Sequence, residues 1–207
     1  MSKTTVASTG IDLSDNFAFS GTVTGTNTAV QLLSTVTISG TSTTNIDFNG
    51  LFSSDYDHYK IYIDRCTPIT GDAKLYGRFF TAAGIITSSS YVHLAAGSTR
   101  NISSDASGNS YNAGEGAFMR LNGADGSNND DTYAMNYEFT LRDPLNATSY
   151  KQMKFSSSVI SENTNDYYTN TGTGFYQATT ALTGVRFYWS GGNWAVPSVA
   201  RLYGVIK

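Results

Sequence analysis

The stretch from Thr132 to Arg142 alternates strictly between large and small or polar side chains. The large residues occupy every second position: Tyr133, Met135, Tyr137, Phe139 and Leu141. Side chains of a strand alternate between two faces, whereas a helix would scatter these residues around its circumference. The pattern therefore predicts a strand with one buried face. The sequence Asp143-Pro144-Leu145-Asn146 follows it and predicts a turn.

Strand-like patterns recur along most of the chain, at residues 59–64, 74–80, 90–96, 117–121, 150–159, 185–189 and 199–206. They predict roughly eight to ten short strands joined by turns rich in Gly, Asn and Ser. No helical stretch separates them, which disfavours parallel strand order. The predicted fold is all-β: an antiparallel, jelly-roll-like β-sandwich. The polar segments 97–116, 122–131 and 161–174 are predicted to be surface loops.

Charge and cysteine content exclude several classes of protein. The net charge of −3 offers no footprint for phosphates, so no nucleic-acid partner is expected. The first residues form no signal peptide, and no apolar run is long enough for membrane insertion. A single cysteine, Cys66, rules out an internal disulfide. These features predict a protein made in a cytoplasm.

Residues 1–45 differ in composition from residues 46–207 and are predicted to be an N-terminal extended arm attached to the sandwich domain. The arm is rich in Thr, Ser, Gly and Val. Phe17, Phe19 and Val23 alternate with small residues and give it strand character. Such a segment buries too little by itself to be stable. A flexible tail is one interpretation; pairing with neighbouring subunits is the favoured one.

Aromatic residues beside polar segments are the candidate contact residues. Tyr167, Tyr168, Tyr111 and Trp194 fall in or next to segments predicted to be loops. Exposed rings stack on sugar faces or anchor protein interfaces. The sequence therefore predicts these four residues as contacts for a glycan or a protein partner, with an ordinary subunit contact equally compatible.

Signals for metal or catalytic sites are weak. Asp125, Ser127, Asn129 and Asp131 alternate like oxygen ligands of Ca²⁺, but the glycine of an EF-hand loop is in the wrong place and its closing glutamate is missing. The alternative is a solvated acidic loop. His58 and His93 show no zinc-ligand spacing, and no nucleophile motif is present. No cofactor, metal or catalytic residue is predicted, and the chain is expected not to be an enzyme.

Three parts of the chain resemble virion appendage proteins of phages that infect aquatic bacteria, of the tail-fibre or decoration type. They are residues 11–26, residues 52–63, and the closing segments 185–194 and 201–206. The resemblance implies a C-terminal jelly-roll domain behind an anchoring N-terminus, assembled as a homotrimer. Fibres of this kind usually have a long shaft, whereas the arm predicted here has only residues 1–45.

The resemblance implies a bacteriophage structural protein located in the virion and made in the host cytoplasm. The first hypothesis is a homotrimeric tail fibre or spike that contacts other virion proteins and host-surface polysaccharide. The second is a capsid decoration, or cement, protein whose arm clamps onto capsid subunits. The third is a carbohydrate-active depolymerase, which would need a pair of carboxylates in a groove.

Overall fold

A computed structural model describes residues 29–101, 107–122, 126–130, 132–133, 135–162 and 166–207. The predicted arm residues Phe17, Phe19 and Val23 lie outside these ranges. The described residues form strands and no helix, so none of them builds a helix that could cross a membrane. In chain order the strands are β1 (Val30–Thr37), β2 (Asn45–Asn49), β3 (Tyr56–Asp64), β4 (Leu75–Thr81), β5 (Gly84–Ile85), β6 (Tyr91–Arg100), β7 (Ser107–Gly116), β8 (Met119–Arg120), β9 (Asn136–Arg142), β10 (Lys151–Ile160), β11 (Tyr167–Tyr176), β12 (Gly184–Trp189) and β13 (Val199–Ile206).

The strands form two antiparallel sheets packed face to face, which confirms the predicted all-β sandwich. The larger sheet has eight strands in the order β1-β13-β3-β9-β10-β11-β6-β7. The smaller sheet has five, in the order β2-β12-β4-β5 with β8 against β4. The chain crosses between the sheets several times, as in a jelly roll. Strands β1 and β7 form the two edges of the larger sheet.

The core lies between the sheets and is built from every second residue of each strand. Tyr59, Ile61 and Ile63, which alternate along β3, are fully buried. From the opposite sheet, Phe187 of β12 packs against Phe139 of β9 with ring centroids 4.6 Å apart. Burying a side chain of this size contributes about 1.5–3 kcal/mol. These contacts fix which face of the larger sheet points inward and leave the other face outside.

The strand predicted from the strongest alternation is shorter than expected. β9 begins at Asn136 rather than at residue 132, and Tyr133 lies in a bend. Met135 is nevertheless buried, and its carbonyl accepts a hydrogen bond from the Cys66 amide at 2.8 Å. The segment before β9 thus buries a side chain without joining the ladder, so the periodic pattern extends past the strand.

Two of the predicted loops are wrong because they contain long strands. Residues 97–116 hold the end of β6 and all of β7, and residues 161–174 hold most of β11. β11 pairs along its whole length with β10 on one side and β6 on the other. Threonine favours strands, and continuous pairing on both sides compensates for the Asn and Gly residues of β11. The segment 122–131 contains no named strand among its described residues.

The predicted boundary between arm and domain at residue 45 is also displaced. β1 already belongs to the sandwich, since Val30 pairs with Val205 and Thr37 with Val199 of β13. Leu33 and Val36 pack against the core. The sandwich therefore includes residues from Val30 onward.

Candidate binding surface

The outer face of the larger sheet aligns its side chains into rows that cross five strands. One row runs from β9 to β7 through Glu138, Ser156, Thr171, Ala96 and Tyr111. The next row, parallel to it, consists of Thr140, Lys154, Thr173, Leu94 and Ala113. The central members of the first row, Ser156, Thr171 and Ala96, are short hydroxyl or methyl side chains, and Thr173 lies beside them in the second row. They leave a low floor between bulkier residues at the two ends.

Three shallow depressions lie along these rows, and neighbouring depressions share lining residues. The first has a volume of about 240 Å³ and lies where β9 ends and β10 begins, beside Tyr150. The second, about 450 Å³, shares Thr140 and Lys154 with the first. The third, about 410 Å³, shares residues 171–173 with the second and ends at Tyr111. They form one elongated groove from Tyr150 to Tyr111, which we call the track.

An exposed aromatic ring stands at each end of the track. Tyr150 is 57% exposed and Tyr111 is 71% exposed. Leu94, also exposed, lies beside Tyr111 in the third depression. Exposed rings of this kind offer an apolar face together with a polar hydroxyl, which suits stacking on partly apolar ligands such as sugars.

Three charged side chains along the track have no ion-pair partner within the part of the chain that the structure describes. Glu138, Lys154 and Arg142 are exposed, and none of them forms an ion pair with another described residue. The neighbouring Arg201, by contrast, is paired with Asp64 at 2.5 Å. The unpaired groups are free to bind a ligand without first breaking an ion pair.

A buried lysine at the start of β10 holds the loop that carries Tyr150. Lys151 Nζ donates hydrogen bonds to the carbonyl oxygens of Asn146, Ser149 (2.8 Å) and Thr179 (3.1 Å). Burial lowers the pKa of Lys151, and the charge of nearby Asp143 opposes this effect. The three acceptors tie the turn after β9 to the segment before β12. Tyr150 is therefore positioned by its own neighbour in sequence.

The structure separates the four aromatic residues predicted as contacts. Tyr111 lies at the end of the track, as described. Tyr167 is 50% exposed but lies opposite Arg100 at the far end of β11, outside the track. Tyr168 points inward and is only 9% exposed.

The prediction that Trp194 contacts a glycan or partner is wrong, because its ring is fully buried and unable to stack on a ligand. It packs against Trp189 with ring centroids 5.3 Å apart, and its backbone amide donates to the Thr43 carbonyl at 2.9 Å. The polar residues around it in sequence suggested a loop, but tertiary packing encloses the ring.

Sequence reasoning missed Tyr150, Lys154 and Glu138. The signal was present, since alternation in residues 150–159 places Tyr150 and Lys154 on one face and Lys151 on the other. Assigning that face to the outside requires knowing where the second sheet packs.

The described residues of the calcium-like segment 125–131 are not arranged around a common site. Asp125 and Asp131 lie outside them. Ser127 is fully buried, with its Oγ 3.5 Å from the hydroxyl of Tyr137 in the core, while Asn129 is exposed. Ser127 and Asn129 therefore do not point toward a common site. Among the described residues, no group of three His, Cys, Asp or Glu side chains is placed to hold a metal ion.

The chemistry of the track is that of recognition by many weak contacts. Hydroxyls of Ser156, Thr171 and Thr173 can both donate and accept hydrogen bonds, and the terminal rings add stacking. A long, shallow and hydroxyl-rich groove suits an extended polar chain better than a compact small molecule, which usually occupies a concave apolar pocket.

Comparison of the chain with protein-family models, with curated proteins and with solved structures gives no match.

Proposed function

We propose that this chain is a non-catalytic structural protein of a bacteriophage virion, a fibre or spike appendage that contacts host-surface glycans through the track. The observation that supports this proposal most directly is the track itself, with a hydroxyl-rich floor between two exposed tyrosine rings. The resemblance of residues 11–26, 52–63, 185–194 and 201–206 to phage appendage proteins gives the biological setting.

A glycan fits the track because its sugar units repeat along one direction. Each unit presents hydroxyl groups to the Ser and Thr side chains of the floor. Its apolar ring faces can stack on Tyr111 and Tyr150. Binding of this kind is weak for one copy of the protein and strengthens when several copies engage one polysaccharide.

The edges of the larger sheet support assembly into a homotrimer. β1 contains no charged residue, and β7 contains only Glu115 and no lysine or proline. Isolated sandwiches usually protect edge strands with charges or proline, because unpaired backbone groups attract other strands. Contacts between β1 of one copy and β7 of the next would satisfy both edges and, repeated three times, close a ring. Residues 1–28 then serve attachment to other virion proteins.

Glycan binding is tested by presenting the intact chain to an array of bacterial surface polysaccharides and measuring the affinity for those retained. Tyr111→Ala and Tyr150→Ala should each weaken binding about two- to tenfold, since a stacked ring contributes about 0.5–1.5 kcal/mol. Tyr167→Ala is the matched control, because it removes an exposed ring outside the track. Equal effects of all three substitutions, or no retention on any polysaccharide, would contradict the proposal.

Assembly and location are tested separately. Light scattering of the purified chain should give three times the mass of one chain, and gold-labelled antibodies should mark a projecting appendage on virions. A mass equal to that of one chain would contradict the proposed homotrimer. Labelling spread evenly over the capsid would favour a decoration protein instead.

A further inference from the structure

The two ends of the track differ in charge. Arg142 and Lys154 line the first depression. Asp143 supplies the only carboxylate among the residues that line this depression, and its Oδ2 accepts a hydrogen bond from Asn146 at 2.9 Å. Two exposed cations therefore accompany one carboxylate at the Tyr150 end, in a chain whose net charge is −3.

The strand register adds to this concentration of positive charge. Lys60 on β3 lies directly opposite Thr140, which lines both the first and the second depression. The Tyr111 end is different, since Leu94, Ala96 and Ala113 surround the ring there. The one unpaired acidic residue of the central depression, Glu138, lies between the two ends.

The groups around the first depression suit one sugar unit that bears a negative charge. Tyr150 offers a ring for the sugar face, and Arg142 offers a planar fork of donors that matches a carboxylate or phosphate. Lys154 adds a second, mobile cation, while Thr140, Ser149 and Gln152 can bond to ring hydroxyls. Glu138 repels a second anion from the next position along the track.

We propose that the depression formed by Arg142, Lys154 and Tyr150 is a subsite for an anionic sugar residue, whose charge comes from a carboxylate or a phosphate. The remainder of the track then takes neutral sugars toward Tyr111. This inference rests on the proposed glycan-binding function and specifies it: the polysaccharide is acidic, and its charged unit sits at the Tyr150 end.

The test measures binding of the full chain to acidic and neutral probes by calorimetry. The acidic probes are oligogalacturonate, oligomers of N-acetylneuraminate and phosphomannan; the neutral probes are methyl-esterified oligogalacturonate and dextran oligomers. At least one acidic probe should bind tenfold or more tightly than every neutral probe. This preference should shrink between 50 mM and 500 mM salt, where the screening length falls from roughly 14 Å to about 4 Å.

Substitutions assign the preference to the subsite. Arg142→Met and Lys154→Met should each reduce the preference at least fivefold, and Lys154→Arg should retain most of it. Arg65→Met is the control, since it removes one exposed positive charge just beyond the far end of β3, away from the first depression. Thermal melting of every variant verifies that it is folded.

Each outcome has a distinct meaning. Equal binding of acidic and neutral probes, still weakened by Tyr111→Ala, would overturn the anionic subsite and leave the glycan-binding function standing. No binding to any probe or to the polysaccharide array would overturn both. Dissociation of the assembled protein by Lys154→Met would show that a second copy covers this face, and would overturn the subsite as well.

Discussion

The imidazole of His93 fills the space beside Gly114, so that a Cβ added to residue 114 would lie 2.9 Å from Cε1 of the ring. The two residues lie opposite each other on β6 and β7. His93 is 6% exposed and its Nδ1 has no hydrogen-bond partner. Burial lowers the pKa of His93; a hydrogen bond with Asn112 opposes this effect and the charge of Arg120 adds to it.

This arrangement predicts lower stability in acid. The unfolded chain takes up a proton on His93 near pH 6.5, whereas the native state resists protonation, so unfolding binds protons in this range. The free energy of unfolding should be independent of His93 above about pH 6.5, should fall as the pH decreases from there toward the lowered native pKa, and should level off below it. Urea unfolding between pH 7.5 and 5 measures this. His93→Gln should flatten the decline, while His58→Gln, on the outer face, should retain it.

Two lysines three positions apart on β10 should differ in how much stability the protein loses when each is replaced by Met. Lys151→Met leaves three carbonyl oxygens without their donor and should reduce stability by about 1–3 kcal/mol. Lys154→Met changes an exposed side chain and should alter stability by less than about 0.5 kcal/mol. Denaturant unfolding of the two variants compares them directly. Similar stabilities would mean that the buried ammonium contributes little to fixing the loop.

The absence of a side chain at Gly172 should be necessary for packing of the larger sheet. A Cβ there would lie 2.5 Å from the Leu94 carbonyl oxygen and 2.6 Å from Cε1 of Phe155. Gly172→Ala should destabilise the fold by about 1–3 kcal/mol, because the backbone of β6 has little freedom to retreat. Gly116→Ala is the control, since a Cβ at that position meets nothing within 4 Å. Melting temperatures of the two variants should separate clearly; if they coincide, the close contact is easily relieved.

Replacing Trp194 should lower the free energy of unfolding far more than replacing Tyr111. Trp194→Ala creates a cavity in the core and should reduce the free energy of unfolding by about 3–5 kcal/mol. Tyr111→Ala removes an exposed ring and should change it by less than about 0.5 kcal/mol. Thermal and denaturant unfolding check both values. A stable Trp194→Ala protein would reopen a contact role for this residue.

The sequence indicated the track only in part. Tyr111 was identified because an aromatic residue among Ser, Asn and Gly suggests exposure. Trp194 has a similar setting of polar neighbours, yet it is enclosed by Trp189 and the segment around Thr43. Residues distant in sequence decide the exposure of each ring, so local composition cannot distinguish them.

The predicted loops fail for a related physical reason. β7 and β11 are rich in Gly, Ser, Thr and Asn, which are common in turns when no neighbouring strand is present. β11 is nevertheless a strand because β10 and β6 supply hydrogen-bonding partners along its whole length. Pairing between distant strands compensates for weak intrinsic strand preference.

The sequence by itself determined the all-β class, most strand positions, and which residues of β3, β9 and β12 share a face. Period-two alternation is a local property, and it specifies two faces without help from the rest of the chain. Tertiary structure decided the order of the strands, the entry of β1 into the sandwich, and which face remains open. The track depends on those decisions, because its rows join residues from β9, β10, β11, β6 and β7 through register, which is set by long-range pairing and by the packing of the second sheet.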